Sequence, residues 1–157
     1  MTNTMKYSNI SDLQKYNPED IRSVISSDPG IYIWWDKEDL SPVYIGVALN
    51  KRGLLGRVAR QHLCPTYIEL RKEKTESAAI TAEYKGRKAI EKSVFRKKVS
   101  NKFGILPGTQ CVNYIKENFL ISLLPLPTIE FSDIKEIERQ LIAKHNPLYN
   151  TKFTDSL

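Results

Sequence analysis

Two short stretches with a period of two constrain this chain most. Ile31, Ile33 and Trp35 alternate with Tyr32 and Trp34, and Val43, Ile45 and Val47 alternate with Tyr44 and Gly46. That period belongs to a half-buried strand, so each stretch has one fully apolar face. The loop from Asp36 to Pro42 is short enough to join them as an antiparallel pair. If the pair shares its apolar face as core, Tyr32 and Tyr44 emerge together on the opposite side. Gly46 then lies beside them, where a ligand or another backbone has room to approach.

The chain has 157 residues, 41% hydrophobic and 27% charged, which predicts one globular domain over 1–157 with enough apolar surface for a core. The longest apolar stretches, such as Phe119 to Leu124, fall far short of a membrane span. The N-terminus has no basic-then-apolar leader pattern, so a soluble, cytoplasmic protein with no membrane partner is expected. Cys64 and Cys111 are then expected as free thiols.

A formal net charge of +6 favours polyanionic partners. Lys85, Arg87, Lys88, Lys92, Arg96, Lys97, Lys98 and Lys102 crowd one segment against the single acid Glu91, and Lys51, Arg52, Arg57 and Arg60 follow the second strand. Two basic patches flanking the tyrosines suit a phosphate backbone better than a small ligand. Arg60, Lys92, Arg96 and Lys97 are the expected nucleic-acid contacts.

Elsewhere the pattern predicts a helix opening at Asn17–Pro18, with Ile21, Val24 and Ile25 on its apolar side, and a helix from about Leu54 to Leu63 that stops before Pro65. Thr66 to Lys88 is polar and aperiodic, an excursion with one helical turn around Tyr67 to Lys72. An amphipathic helix is expected over Ala89 to Phe103, with Ile90, Val94, Phe95, Val99 and Phe103 inward, Arg96 outward and Gly104 stopping it. Val112 to Asn118 reads as a helix, Phe119 to Pro125 as a third strand, and Ser132 or Asp133 as the cap of a last helix to about His145. The tail after Asn150 is expected to fray.

On that last helix Ile134, Ile137, Leu141, Ile142 and His145 form one stripe, and Glu138 falls inside it. A carboxylate there needs a cation, either a metal ion or an arginine. One carboxylate suffices for Mg²⁺, which keeps several waters and takes substrate phosphates. Arg57 and Arg60 are candidates for a phosphate, which a guanidinium grips with two parallel bonds. His62 is either a proton acceptor or a satisfied core histidine. Tyr32 and Tyr44 can activate water only if a nearby cation lowers the phenol pKa from about 10. Asn150 can orient a water or a neighbouring side chain through its amide. The absence of a G-x-x-x-x-G-K-[ST] loop argues against a nucleotide cofactor.

Gly30-Ile31-Tyr32, Tyr44-Ile45-Gly46, Arg57 with His62, Glu138 in IERQLI and Asn150 in NPLYN resemble, in that order, the elements of the GIY-YIG nuclease family over Pro29 to Asn150. The resemblance implies an α/β (α+β) domain with a small three-stranded antiparallel sheet flanked by helices, core about 29–150. It also implies hydrolysis of DNA phosphodiesters with Mg²⁺ or Mn²⁺ held by Glu138. Tyr32 or His62 would then be the base, Arg57 and Tyr44 would steady the phosphate, with Arg60 in reserve, and Asn150 would support the arrangement. The family spaces its Arg and His four apart, whereas Arg57 and His62 are five apart and Val58 stands at the four-residue position. That departure motivates an alternative, a nucleic-acid-binding module of the same fold with weak or no cleavage.

Overall fold

The central strand of the main sheet is β1 (Gly30–Asp36), flanked on both sides by antiparallel neighbours, β2 (Pro42–Ala48) and β6 (Phe119–Pro125). Between β2 and β6 the chain forms β3 (Ile68–Arg71), β4 (Ala82–Tyr84), β5 (Arg87–Glu91), α1 (Val94–Phe103) and α2 (Thr109–Asn118); α3 (Phe131–His145) follows β6. The computed structural model describes residues 7, 9–71, 81–84 and 86–150. The protein is mixed α/β with two small antiparallel sheets. None of the described helices is long and apolar enough to cross a membrane. Both cysteines are free.

The expected alternation sets the pairing: Tyr32 lies opposite Gly46 and Trp34 opposite Tyr44. Ile31, Ile33, Trp35 and Ile45 form one face, packed against Ile134, Ile137 and Leu141 of α3. The other face differs from the expectation of exposed phenols. Tyr32 and Trp34 are only 2% and 0% exposed, because Leu54, Val58, Phe95 and Val99 roof that side with Cys111, Ile115 and Phe119. A central strand covered on both faces has no solvent side.

Val43 also changes sides. The register shifts between Trp34 and Trp35, Trp35 facing Pro42, which makes Val43 the extra residue of a β-bulge. It joins Trp34 and Phe95 in the second core rather than Ile45 in the first. The space expected above Gly46 is taken by Tyr32 itself, since a Cβ there would collide with the phenol Oη and Cζ.

The excursion after Thr66 is a second sheet, ordered β3-β5-β4. Where one helical turn was expected, Ile68–Arg71 is strand; Lys72 at the end of that expected turn, and Lys85, lie outside the described residues. The helix expected from Ala89 begins instead at Val94, where Ser93 Oγ accepts the Arg96 amide (3.4 Å), and Ile90 belongs to β5. Val94 and Phe103 are exposed, while Phe95 and Val99 face inward. Gly104, left-handed at φ 66°, stops the helix as expected.

The first expected helix is a 3₁₀ segment, Pro18–Ser23, that buries Ile21 and leaves Val24 exposed. β6 falls where the sequence places it, α2 begins at Thr109, three residues before the expected Val112, and α3 starts at Phe131, putting Ser132 and Asp133 inside its first turn rather than at its cap. The tail after Asn150 lies outside the described residues.

Gly46→Ala should force the Tyr32 ring out of its seat and destabilise the protein by about 1–3 kcal/mol, as overpacking a filled core does. Urea unfolding reads this directly, and an unchanged midpoint would contradict the packing.

Candidate functional site

Tyr32 and Tyr44 face each other with ring centroids 6.3 Å apart and planes 30° from parallel. Tyr44 is half-buried, Tyr32 fully so. Burial first, then the neighbouring phenol and Glu138, push the Tyr32 pKa well above its ordinary value; Arg57 opposes them. Tyr44 is raised by burial and Glu138 and lowered by Arg57. Both phenols are therefore protonated at neutral pH.

The helix after β2 is a π-helix, Leu55–His62. Its i→i+5 pattern is visible where the Leu63 amide donates to Val58 O (2.9 Å). The wider turn absorbs the fifth residue between Arg57 and His62. Val58 and His62 are buried beneath it and Arg57 is half-buried.

His62 is 2% exposed, so it is not a surface base. The Trp34 indole donates to its Nδ1 (3.0 Å), and its Nε2 lies 3.3 Å from Tyr32 Oη. Phe95 covers its ring with centroids 5.5 Å apart. Burial, then the charges of Arg57 and Arg96, lower its pKa to about 3. His62 is neutral at neutral pH, with both nitrogens engaged.

Arg57 donates from Nη1 to Gln61 Oε1 (2.9 Å), one side chain fixing the other across a helical turn. Its Nε is buried with no hydrogen-bond partner among the described residues. An unpartnered donor on a permanent cation suits an anion. The Arg57 charge acts on Tyr32, Tyr44 and His62. Arg60 is exposed and makes no comparable contribution to these groups.

Glu138 comes from α3, on the opposite face. Because β2 is an edge strand and α3 packs along it, no further strand separates Glu138 from the phenols. Its charge raises the pKa of both. Burial raises its own pKa, opposed by Lys135 on the same helix. Among the described residues no hydrogen bond or ion pair reaches its carboxylate. No group of three or more His, Cys, Asp or Glu able to hold a metal occurs among the described residues either. A single half-buried, unpaired carboxylate fits an ion such as Mg²⁺ or Mn²⁺ whose remaining ligands are water and phosphate. It does not fit a four-ligand zinc site.

Asn150 contacts the backbone of β2. Its Oδ1 accepts the Ile45 amide and its Nδ2 donates to the Ile45 carbonyl, both at 2.8 Å. The amide thus closes the free edge of β2 between Tyr44 and Gly46. The short 3₁₀ turn Leu148–Asn150 carries it there.

The basic residues separate sharply. Lys92 is exposed, its Nζ 4.7 Å from the Tyr67 ring centroid, and Lys97 is half-buried. Arg96 is 0% exposed, which corrects its expected outward position and removes it from any nucleic-acid surface. It pairs with Glu91 at 2.8 Å and donates to Gln61 O (2.6 Å) and Cys64 O (2.7 Å), carbonyls at the end of the π-helix. Glu91 also accepts the Gly108 amide (3.0 Å). This buried pair ties α1 and the second sheet to the helix bearing Arg57 and His62. A lone acid in a basic segment was the available signal. Trp34 and Gln61 gave none, since an aromatic on a strand and a glutamine on a helix are ordinary.

The structure thus brings the rings of Tyr32, Tyr44 and His62 together under the charge of Arg57, with Glu138 acting on the two phenols and Asn150 on the backbone of β2. No protein-family model, curated protein or solved structure matches the chain.

The depressed His62 pKa has a consequence for stability. In the unfolded chain the imidazole binds a proton below about pH 6.5, whereas in the folded protein it does so only near pH 3. The unfolded state binds more protons in that window, so the contribution present above pH 6.5 is lost as pH falls toward 3. Urea unfolding from about pH 6.5 to about pH 5 should show a loss approaching about 1.4 kcal/mol per pH unit, largely removed in His62→Gln. A flat parent profile would contradict a neutral, buried His62.

Proposed function

We propose that the protein is a metal-dependent endonuclease that hydrolyses DNA phosphodiester bonds, resembling the GIY-YIG nucleases in site and mechanism. The observation that carries this reading is that an unpaired carboxylate, Glu138, and a guanidinium, Arg57, both act on the same pair of facing phenols. The alternative of a binding module rests on the five-residue Arg57–His62 spacing. The π-helical turn accommodates that spacing, which favours cleavage.

Arg57 grips the scissile phosphate, using the buried Nε that has no hydrogen-bond partner among the described residues. Tyr44, the less buried phenol, donates to a phosphate oxygen as charge builds there. Tyr32, fully buried and with its phenol pKa held well above the ordinary value despite Arg57, stands behind Tyr44 as a protonated neighbour rather than as the base that meets the attacking water. Mg²⁺ or Mn²⁺ held by Glu138 would supply positive charge at the leaving oxygen. His62 does not take the proton, because it is neutral with its acceptor nitrogen already bonded to Trp34. Asn150 keeps the β2 edge, and so Tyr44, in place. Exposed Lys92 and Arg60, with Lys97, extend the basic surface along the DNA backbone.

Supercoiled DNA incubated with the protein and Mg²⁺ or Mn²⁺ should be nicked, and chelator should stop the reaction. Glu138→Ala and Arg57→Ala should each slow it on the order of a hundredfold. A salt-sensitive mobility shift without nicking, or a Glu138→Ala protein as fast as the parent, would overturn the reading.

A further inference from the structure

Trp34 has a polar atom that packing alone does not require. The indole N–H is a donor with no lone pair to offer, so at 3.0 Å from His62 Nδ1 that nitrogen must be the acceptor. The two rings lie within 6° of parallel with centroids 6.1 Å apart, so the indole and imidazole are held in a fixed mutual orientation around that bond. His62 is buried, with Phe95 over its ring and Tyr32 edge-on to it at 82°. In neutral imidazole an unprotonated Nδ1 leaves the proton on Nε2, 3.3 Å from Tyr32 Oη.

We propose that Trp34 is a positioning residue that locks His62 in its Nε2–H form, so that His62 donates to Tyr32 Oη and turns the Tyr32 hydroxyl proton toward Tyr44 and the substrate side. Nothing in the tyrosine pattern requires an indole behind the histidine. The Tyr44 ring faces Tyr32 on the less buried side, with centroids 6.3 Å apart and planes 30° from parallel, so its hydroxyl is the next group outward. The order Trp34, His62, Tyr32, Tyr44 therefore has one direction, leading from the core outward. At its outer end the Tyr44 proton is left free for an incoming oxygen.

The catalytic part of this inference rests on the proposed phosphodiester hydrolysis; the hydrogen-bond order does not, and the two are tested separately. Imidazole ¹⁵N NMR of the parent protein should give His62 a protonated Nε2 and an unprotonated Nδ1, with an N–N coupling to the Trp34 indole across the hydrogen bond. Trp34→Phe keeps an aromatic ring and removes the donor. It should populate the Nδ1–H form and lower kcat for DNA nicking by about tenfold to a hundredfold, while KM changes by less than about twofold. A parent His62 carrying its proton on Nδ1, or a folded Trp34→Phe protein whose tautomer or kcat matches the parent's, would overturn the proposal. Should Trp34→Phe fail to fold, the coupling in the parent decides, and its absence overturns the proposal. A parent that shows the coupling but cuts no DNA would refute the nuclease reading and leave the Trp34 lock standing.

Discussion

The burial of β1 on both faces governs the rest of the structure. A strand with a helix under one side and a helical roof over the other must satisfy every polar atom it carries from within the protein. The Trp35 indole meets Ser122 (2.8 Å), and the Trp34 indole meets His62 (3.0 Å). The second of these bonds joins the sheet to the π-helix. His62 then reaches Tyr32, so the requirement to satisfy a buried tryptophan also orders the tyrosines. The roof is held in turn by Arg96, whose ion pair with Glu91 and bonds to two carbonyls anchor the π-helix from outside.

The electrostatics of the site follow from elements approaching the same phenols from opposite faces. Arg57, above, draws Tyr32 and Tyr44 toward ionisation, while Glu138, from α3, resists it. Among the described residues no hydrogen bond or ion pair reaches the Glu138 carboxylate, Lys135 only partly offsetting its burial, and the buried Nε of Arg57 has no acceptor. An anion at Arg57 and a cation at Glu138 would each relieve one imbalance. A phosphate with a divalent ion supplies both, which is the physical content of the proposed nuclease reading.

Much of this was legible in the sequence because it depends on period. The alternation in Ile31–Trp35 and around Tyr44 set the register of β1 and β2 apart from the bulge, and the stripe on α3 placed Glu138 at a partly buried position. What escaped depends on partners distant in the chain. Tyr32 was expected at the surface because its roof comes from residues outside its own strand pair, some of them, such as Phe95 and Val99, more than 60 positions later. Arg96 sat in a basic run whose neighbours are mostly exposed, and only the position of Glu91 in a second sheet explains its burial. The strand at Arg87–Glu91 was hidden by Ala89 and Ile90, residues that suit a buried helix as well as a strand. The π-helix was written as an irregular spacing between Arg57 and His62, a mismatch by α-helical rules that the wider turn makes regular.

The central proposal is that Glu138, acting on the same two phenols as Arg57, holds a divalent cation. Paramagnetic relaxation by Mn²⁺ tests it most directly. Sub-stoichiometric Mn²⁺ should selectively broaden the NMR signals of Glu138, Tyr44 and Tyr32, and Glu138→Gln should abolish the effect without altering the fold. Broadening confined to other acidic residues, or unchanged in Glu138→Gln, would contradict the account.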